Sequence, residues 1–326
     1  MSPPTSAGAV AFEPRERALH ASRGNVTEVW TADGLVARGK GGAVHVLAPR
    51  PGTTDVMLGL ENAAALLYRR GGETALRFKG TTGVIKSIAF HPAGDRVALG
   101  RCIFEMTGKM TSKNAVEQIV ATFPDGERLL TAGGALDIVD WNGQRVTDVR
   151  IPDRSMTEFI AAIATSPDGA TFGCAVRKRG LLVWDHPTAV LRPLAEDTEI
   201  SVLTFAPDGS RVASAGGDGV ARVHDVKTGQ LVGGTGCFAA GVGARLAFVT
   251  PSVLALPAAG GELRLWNVDD DSWLALWSVS AKEWLAVDSD GRFAGSAKLA
   301  EKLTPTGVAP GTRVGPLTEG LLARWL

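Results

Sequence analysis

Short runs of apolar residues alternate with turn-forming residues along most of the chain, and their lengths predict β-strands. The clearest stretch is residues 202–225, which read VLTFAPDGSRVASAGGDGVARVHD. The segments VLTFA, RVASA and VARVH predict three strands, and Leu231 begins a fourth. The intervening PDG and GGDG supply a proline with fixed φ and glycines that accept a positive φ, as tight reversals require. This stretch therefore predicts a small antiparallel sheet of four strands.

The same order of strand, turn and strand recurs elsewhere. Three stretches repeat it clearly: residues 119–140, with PDG and a closing Asp140; residues 160–185, with SPDG and a closing Trp184-Asp185; and residues 246–267, with TPS and a closing Trp266-Asn267. Toward the amino end the match weakens, since residues 87–99 keep IAFHPAGDRVAL and residues 26–47 and 55–78 keep only the register. The count is seven units, spaced by roughly 30 to 43 residues, as in ring-shaped repeat proteins.

These units resemble WD-repeat blades over residues 84–276. The resemblance rests on the turn aspartate Asp218, on Trp184-Asp185, and on His224-Asp225 and Trp266-Asn267 at the position of the Trp-Asp dipeptide. It implies an all-β, seven-bladed β-propeller in which the Trp or its substitute fills space between blades and the aspartates cap turns. The Gly-His dipeptide of the family is missing before the strands, so we expect its histidine-centred network to be absent.

A ring of blades must close, because a lone blade cannot bury both of its apolar faces. We expect three parts: residues 1–20 pairing into the closing blade, blades over residues 21–276, and an extension over residues 277–326 that packs on the ring or closes it. The extension contains a W…DG…GS element, similar to one that follows propellers in bacterial signalling and conflict proteins. It is either packed on the ring or an eighth hairpin. Residues 317–326 are compatible with a short helix.

Composition limits the function classes. Lysine plus arginine and aspartate plus glutamate number 34 each, so the chain has no net field that would attract nucleic acid or a membrane. Its three cysteines form no pair of metal-ligand spacing. No apolar run approaches the roughly 18 residues of a membrane span. We expect a cytoplasmic protein, and the abundance of Ala, Gly, Arg and Val favours a bacterial source.

The sequence shows no signature of a catalytic or metal-binding site. The sequence has no motif for a nucleophile elbow, a zinc protease helix or a phosphate-binding loop in a suitable context. The acidic segments 268–271 and 288–291 lack the full ligand series of a calcium loop, and turn chemistry explains them. We therefore expect no cofactor, no metal and no enzymatic activity.

Basic residues cluster in the turns predicted between the second and third strands. By register these turns share one face of the ring, and they hold Arg38, Lys40, Arg69, Arg70, Arg101, Arg177, Lys178 and Arg179. One interpretation is ordinary solvation of turns; the other is a basic arc that docks an acidic partner surface.

The residues that open the innermost strands should lie near the central channel. They include Lys86, Phe159, Glu199 and Ser201. WD-repeat proteins often bind peptides there, and an exposed Phe159 would be the strongest anchor, although burial against a strand is equally compatible with the pattern.

The resemblance and the lack of catalytic motifs favour a non-catalytic scaffold or recognition subunit of a bacterial multiprotein regulatory or defence system. Its expected partners are other proteins, first of all ATPase, von Willebrand A-like or caspase-like components of such a system. Two alternatives remain: a propeller enzyme that acts at the channel, which would need convergent carboxylates, histidines or a metal, and a nucleic-acid-binding propeller that uses the basic face.

Overall fold

The computed structural model describes residues 8–326 with gaps at 24, 41–43, 61, 63, 70–73, 82–83, 114–115, 154, 156–157, 186–189, 196–198, 241–243, 281 and 297–319. The described strands form seven antiparallel sheets, each built from strands that are consecutive in the chain. Six sheets have four strands and the seventh has six.

The first four sheets run in chain order. Their strands are β1 (Val10–Glu13), β2 (Ala18–Arg23), β3 (Val26–Thr31) and β4 (Gly34–Lys40) in blade one; β5 (Val44–Pro49), β6 (Val56–Leu60), β7 (Ala65–Tyr68) and β8 (Thr74–Phe78) in blade two; β9 (Ile88–Phe90), β10 (Arg96–Leu99), β11 (Cys102–Glu105) and β12 (Met110–Lys113) in blade three; and β13 (Ile119–Thr122), β14 (Arg128–Ala132), β15 (Leu136–Asp140) and β16 (Arg145–Asp148) in blade four.

The remaining three sheets follow the same plan. Their strands are β17 (Ile160–Thr165), β18 (Thr171–Val176), β19 (Gly180–Asp185) and β20 (Val190–Ala195) in blade five; β21 (Ile200–Phe205), β22 (Arg211–Gly216), β23 (Ala221–Asp225) and β24 (Leu231–Thr235) in blade six; and β25 (Ala247–Phe248), β26 (Val253–Pro257), β27 (Leu263–Asn267), β28 (Trp273–Ser280), β29 (Glu283–Asp288) and β30 (Phe293–Gly295) in blade seven.

The first strands of the blades neighbour one another in a closed circle, since β1 contacts both β5 and β25. The prediction of an all-β, seven-bladed β-propeller is therefore confirmed. Seven hydrophobic clusters among the described residues lie one at each seam between adjacent blades. Successive residues of a strand point to opposite seams: Ile103 packs toward blade four, whereas Cys102 and Phe104 pack toward blade two. This is why the middle strands read as unbroken apolar runs.

The turns carry the residues that their geometry needs. Gly169 and Gly209 close the turns after β17 and β21 with φ of 70° and 72°, a region that side chains disfavour. In the first of these turns the hydroxyl of Ser166, followed by the backbone N–H of Ala170, lowers the pKa of Asp168. The sequence repeats were therefore visible mainly through their turns.

The register at the amino end differs from the sequence prediction. Blade one consists of residues 10–40, so the predicted first unit, residues 26–47, runs from its third strand into the first strand of blade two. The predicted second unit, 55–78, likewise covers the second to fourth strands of blade two. Residues 10–13 and 18–23 are ordinary inner strands of blade one, and among the described strands none is shared between the two chain ends. The weak turn motifs in these blades misplaced the register.

The carboxyl-terminal extension packs on the ring at the seam between blades seven and one. Strands β29 and β30 add to the outer edge of blade seven and form no eighth blade. The indole of Trp284 meets Trp30 edge to face, with ring centroids 5.9 Å apart. A 3-10 turn, Leu322–Arg324, stands where a helix was predicted over 317–326, of which 317–319 lie outside the described residues.

A buried carboxylate also spans this seam. Glu28 on β3 is only 2% exposed and accepts hydrogen bonds from Nη2 of Arg23 at 2.7 Å, from Nε1 of Trp30 at 3.1 Å and from the hydroxyl of Ser278 on β28. Nε of Arg38 lies 3.8 Å from the same carboxylate. Because Ser278 belongs to blade seven, Glu28 ties the first blade to the last.

We expect Glu28→Ala to lower the free energy of unfolding by about 3–5 kcal/mol, since it leaves the partly buried guanidinium of Arg23 without its carboxylate. Urea denaturation followed by tryptophan fluorescence measures this. The matched control is Glu105→Ala, whose partner Lys109 is 3.9 Å away and mostly exposed, and which should change stability by about 0.5 kcal/mol or less. Equal losses in the two variants would contradict a closing role for Glu28.

The chain end supplies a second test of the same seam. Leu322 is 2% exposed and packs in the cluster shared by blades seven and one. We expect Leu322→Ala to cost about 2–5 kcal/mol because it opens a cavity there. Leu231→Ala, at a side chain 58% exposed on β24, should cost about 0.5 kcal/mol or less. Thermal unfolding of both variants decides whether the chain end is part of the folded ring.

Candidate functional site

The central channel of the ring forms a cavity. It encloses about 1410 Å³ and is lined by the innermost strands of all seven blades. Its lining includes residues of the turns between second and third strands, namely Arg101, Gly133, Gly134, Arg177 and Gly217, and no residue of the turns between first and second strands. The cavity therefore opens on the face that carries the second-to-third-strand turns.

Backbone irregularities lie where the inner strands begin at this mouth. The register between the first and second strands changes by one residue in blades two, five and six. The changes lie between Val44 and Val46, between Ile160 and Ala162, and between Ile200 and Val202. Such bulges leave one residue outside the ladder and redirect its side chain. The residues left out, His45, Ala161 and Ser201, all line the channel, and the last two are exposed.

The four residues predicted from sequence to open the inner strands all line this cavity: Lys86, Phe159, Glu199 and Ser201. Phe159 is 61% exposed, so the alternative of a buried strand position is wrong. Its carbonyl accepts the N–H of Arg177 at 2.9 Å, and Nη2 of Arg177 lies 3.5 Å from Oε1 of Glu199. An exposed aromatic ring thus stands beside a solvated ion pair on blades five and six.

Arg245 is a site residue that the sequence reasoning missed. It stands before β25 in blade seven, yet its Nη2 donates to the carbonyl of Lys86 in blade three at 2.5 Å, and its Nη1 donates to the carbonyl of Ala244 at 2.9 Å. Blades three and seven are not neighbours in the ring, so the side chain reaches across the channel. Burial lowers the pKa of Arg245 to about 10, which leaves it protonated at neutral pH. The sequence gives no sign of this role, because it depends on a contact between two blades that are distant in the chain.

The predicted basic arc is smaller than the sequence indicated. Arg38 and Lys40 lie on β4, not in a second-to-third-strand turn, and Nε of Arg38 donates to Ser278 at 3.2 Å. Arg69 is exposed in the segment between β7 and β8, which turns on the opposite face, and Arg70 lies outside the described residues. The side chain of Lys40 is also outside them. These four assignments followed from the misplaced register of blades one and two.

The remaining arc residues do lie in the predicted turns, in blades three and five. Arg101 lines the cavity, and Arg177 and Lys178 are exposed. Arg179 has a different role: its Nε lies 2.8 Å from Oε2 of Glu158, and its Nη1 donates to the carbonyl of Pro152 at 2.6 Å. Arg179 therefore holds the connection between blades four and five and is not a free cation.

The repeat residues occupy structural positions away from the channel. Trp184 stacks on Phe172 with centroids 5.9 Å apart, and Trp266 donates from Nε1 to Asp271 at 2.7 Å. Burial, and then the charge of Arg222, lowers the pKa of His224. The aspartates cap turns or end strands: Asp140 accepts two backbone N–H groups, Asp218 accepts the N–H of Val220, Asp225 accepts the N–H of Thr228, and Asp185 ends β19.

Neither a metal-binding cluster nor a membrane-spanning helix is present in the described part of the chain. No group of three or more His, Cys, Asp or Glu side chains there could hold a metal ion. Asp288 uses its carboxylate to accept the backbone N–H groups of Asp290 and Arg292, at 3.1 and 2.8 Å. Among the described residues, no helix has the length and hydrophobicity needed to span a bilayer.

Comparison with protein families gives a match. The family model of the WD domain, G-beta repeat, matches residues 190–225, which run from β20 through β23. The search of curated proteins finds no match. The matched repeat falls on blades five and six of a closed ring, in which six described sheets have four consecutive antiparallel strands and blade seven has six. The chain is thus a seven-bladed β-propeller in which residues 190–225 match the WD domain, G-beta repeat.

Proposed function

We propose that the protein is a non-catalytic interaction scaffold and that its channel mouth binds a segment of another protein. WD-repeat propellers commonly serve as platforms for protein interactions. The observation that supports the location is Phe159, a large aromatic side chain 61% exposed at the rim of the cavity. Exposing such a ring to water is unfavourable, and covering it with a partner removes that cost.

The surroundings of Phe159 suit an interface. Ala161 and Ser201 are small and exposed, so a segment of another chain can approach the inner strands closely. Arg177 and Glu199 supply a polar rim in which both charges remain solvated. An aromatic centre with a polar rim is the usual arrangement of residues that dominate binding energy.

The partner class follows from resemblance alone. The W…DG…GS element of the extension is similar to elements of bacterial signalling and conflict proteins, and in this proposal the chain acts in the bacterial cytoplasm. Its partners would be ATPase, von Willebrand A-like or caspase-like components of one regulatory or defence system. Affinity capture from the source organism, with mass spectrometry, tests this. A reproducible partner of another kind, or none, would overturn this part of the proposal.

We expect Phe159→Ala to weaken the captured partner's affinity by about tenfold to thirtyfold, because the ring would lose about 1.5–2 kcal/mol of interface burial. Titration calorimetry with the purified partner measures the change. Leu231→Ala is the matched control, since Leu231 is 58% exposed but lies on the outer strand of blade six. An unchanged affinity in Phe159→Ala would move the interface away from the channel mouth.

The two exposed cations of the blade five turn, Arg177 and Lys178, give a separate test. We expect Arg177→Glu with Lys178→Glu to slow association with an acidic partner on the order of tenfold at low salt and to flatten its salt dependence. Arg179 is left unchanged because it holds Glu158. The control, Lys109→Glu with Lys227→Glu, makes the same charge change on turns of the opposite face. Stopped-flow measurements at several salt concentrations compare the association rates of the two double variants. Equal slowing in both would mean that only the net charge matters and that the arc is not the docking surface.

A further inference from the structure

We propose that Arg245 is an anion receptor: its guanidinium binds a carboxylate of the segment that enters the channel, on an acidic side chain or at a chain end. This inference rests on the proposed function and names the ligand class of that site. It is carried by the position of the side chain, by its hydrogen bonds and by the charges that share the cavity.

The position follows from a short inner strand. Strand β25 has only two residues, paired with β26 at Ala247 and Phe248, whereas the other inner strands have three to six. Residues 244–246 lie before the ladder, so Arg245 can turn inward and extend to the carbonyl of Lys86. The guanidinium therefore stands inside the cavity, where a ligand from the mouth would meet it.

The hydrogen bonds of Arg245 leave capacity for an anion. A guanidinium has five N–H donors, and among the described residues this one bonds to two neutral backbone carbonyls, those of Ala244 and Lys86. Within the described part of the chain no carboxylate lies at ion-pair distance from it. The Arg245 side chain is half-buried, and carbonyl dipoles compensate only part of the hydration that a charge loses on burial. A carboxylate offers two oxygens that match the planar fork of the guanidinium.

The charges around the cavity also favour an anion. Among the residues that the structure describes, its ionisable lining consists of the cations Lys86, Arg101, Arg177 and Arg245 and the carboxylates Glu117, Glu158 and Glu199, besides His45. Glu199 is paired with Arg177 and Glu158 with Arg179, so the other described ionisable residues of the lining, apart from His45, are three cations and the carboxylate Glu117. A net positive lining inside a chain of zero net charge raises the local concentration of anionic groups.

Arg101 adds an independent observation. Its Nε is buried and has no hydrogen-bond partner among the described residues, and the side chain lines the same cavity. An unsatisfied buried donor is destabilising by itself. The cavity thus holds one guanidinium with an unsatisfied donor, on Arg101, and one bonded only to neutral carbonyls, on Arg245, and an acidic ligand offers acceptors to both.

The experiment selects peptides from a displayed random heptapeptide library on the immobilised full-length protein. One library has free carboxyl ends and the other has amidated ends, which separates a chain-end carboxylate from an acidic side chain. The baits are the wild type, Arg245→Gln and Arg292→Gln, the last being an arginine of the extension that pairs with Asp288 outside the channel. Thermal unfolding of each bait establishes that it is folded, and Arg245→Lys serves if Arg245→Gln is not.

We expect acidic residues at one fixed position, or a free carboxyl end, to be enriched on wild type and Arg292→Gln but not on Arg245→Gln. Replacing the selected Glu by Gln, or amidating the selected chain end, should weaken binding to wild type by about tenfold or more and to Arg245→Gln by about twofold or less. Because this cycle changes the peptide, it does not depend on a protein variant alone.

The other outcomes separate the two proposals. Enriched peptides that lose affinity with Phe159→Ala but carry no acidic preference would overturn the anion site and leave the scaffold. An acidic preference that persists in Arg245→Gln would assign the carboxylate to another cation and overturn the role of Arg245. Failure to enrich any peptide on wild type would contradict the channel mouth as a receptor for protein segments, and this inference with it.

Discussion

Every blade of this protein has two apolar faces that need a neighbouring blade. The fold therefore depends on the contact between blade seven and blade one, which are far apart in the chain and close the ring. Seven seams bury seven hydrophobic clusters, and opening any one of them would expose both of its faces. The closing seam has extra material, since Trp284 of the extension packs on Trp30 and Glu28 accepts a hydrogen bond from Ser278 across it. Closure here uses side chains of separate sheets, because no described strand is shared between the chain ends.

Closure also creates the candidate site. A ring of seven blades brings the beginnings of seven inner strands to one face, and each blade can vary its residue there without changing its hydrogen-bonded ladder. The bulges at Ala161 and Ser201 open space, Phe159 supplies an aromatic surface, and Arg245 supplies a charge. The site is thus a combination of individual departures from a shared pattern, and it exists only when the blades are held in their circle.

Sequence reasoning succeeded where turn chemistry is strong. The PDG turns fixed the strands of blades four to six, and from them the inner-strand positions of Phe159 and Glu199. It failed in blades one and two, where the turn motifs are weak and the predicted strands were assigned one or two strands out of register. For this reason Arg38 and Arg69 were wrongly assigned to the basic arc. Arg245 could not be found in this way, because its partner Lys86 is 159 residues away and the contact depends on blades three and seven facing each other across the channel.

The position of Arg245 couples recognition to the integrity of the ring. Its guanidinium is held between a blade next to the closing seam and one three blades further on, by bonds to carbonyl oxygens that tolerate small displacements poorly. Burial lowers the pKa of Arg245 to about 10, so the side chain stays protonated at neutral pH. Its N–H groups therefore remain able to donate to a carboxylate. A ligand that supplied a carboxylate would bond to a group anchored on both sides of the channel. Binding would then stabilise the closed ring, since only the closed ring presents that group.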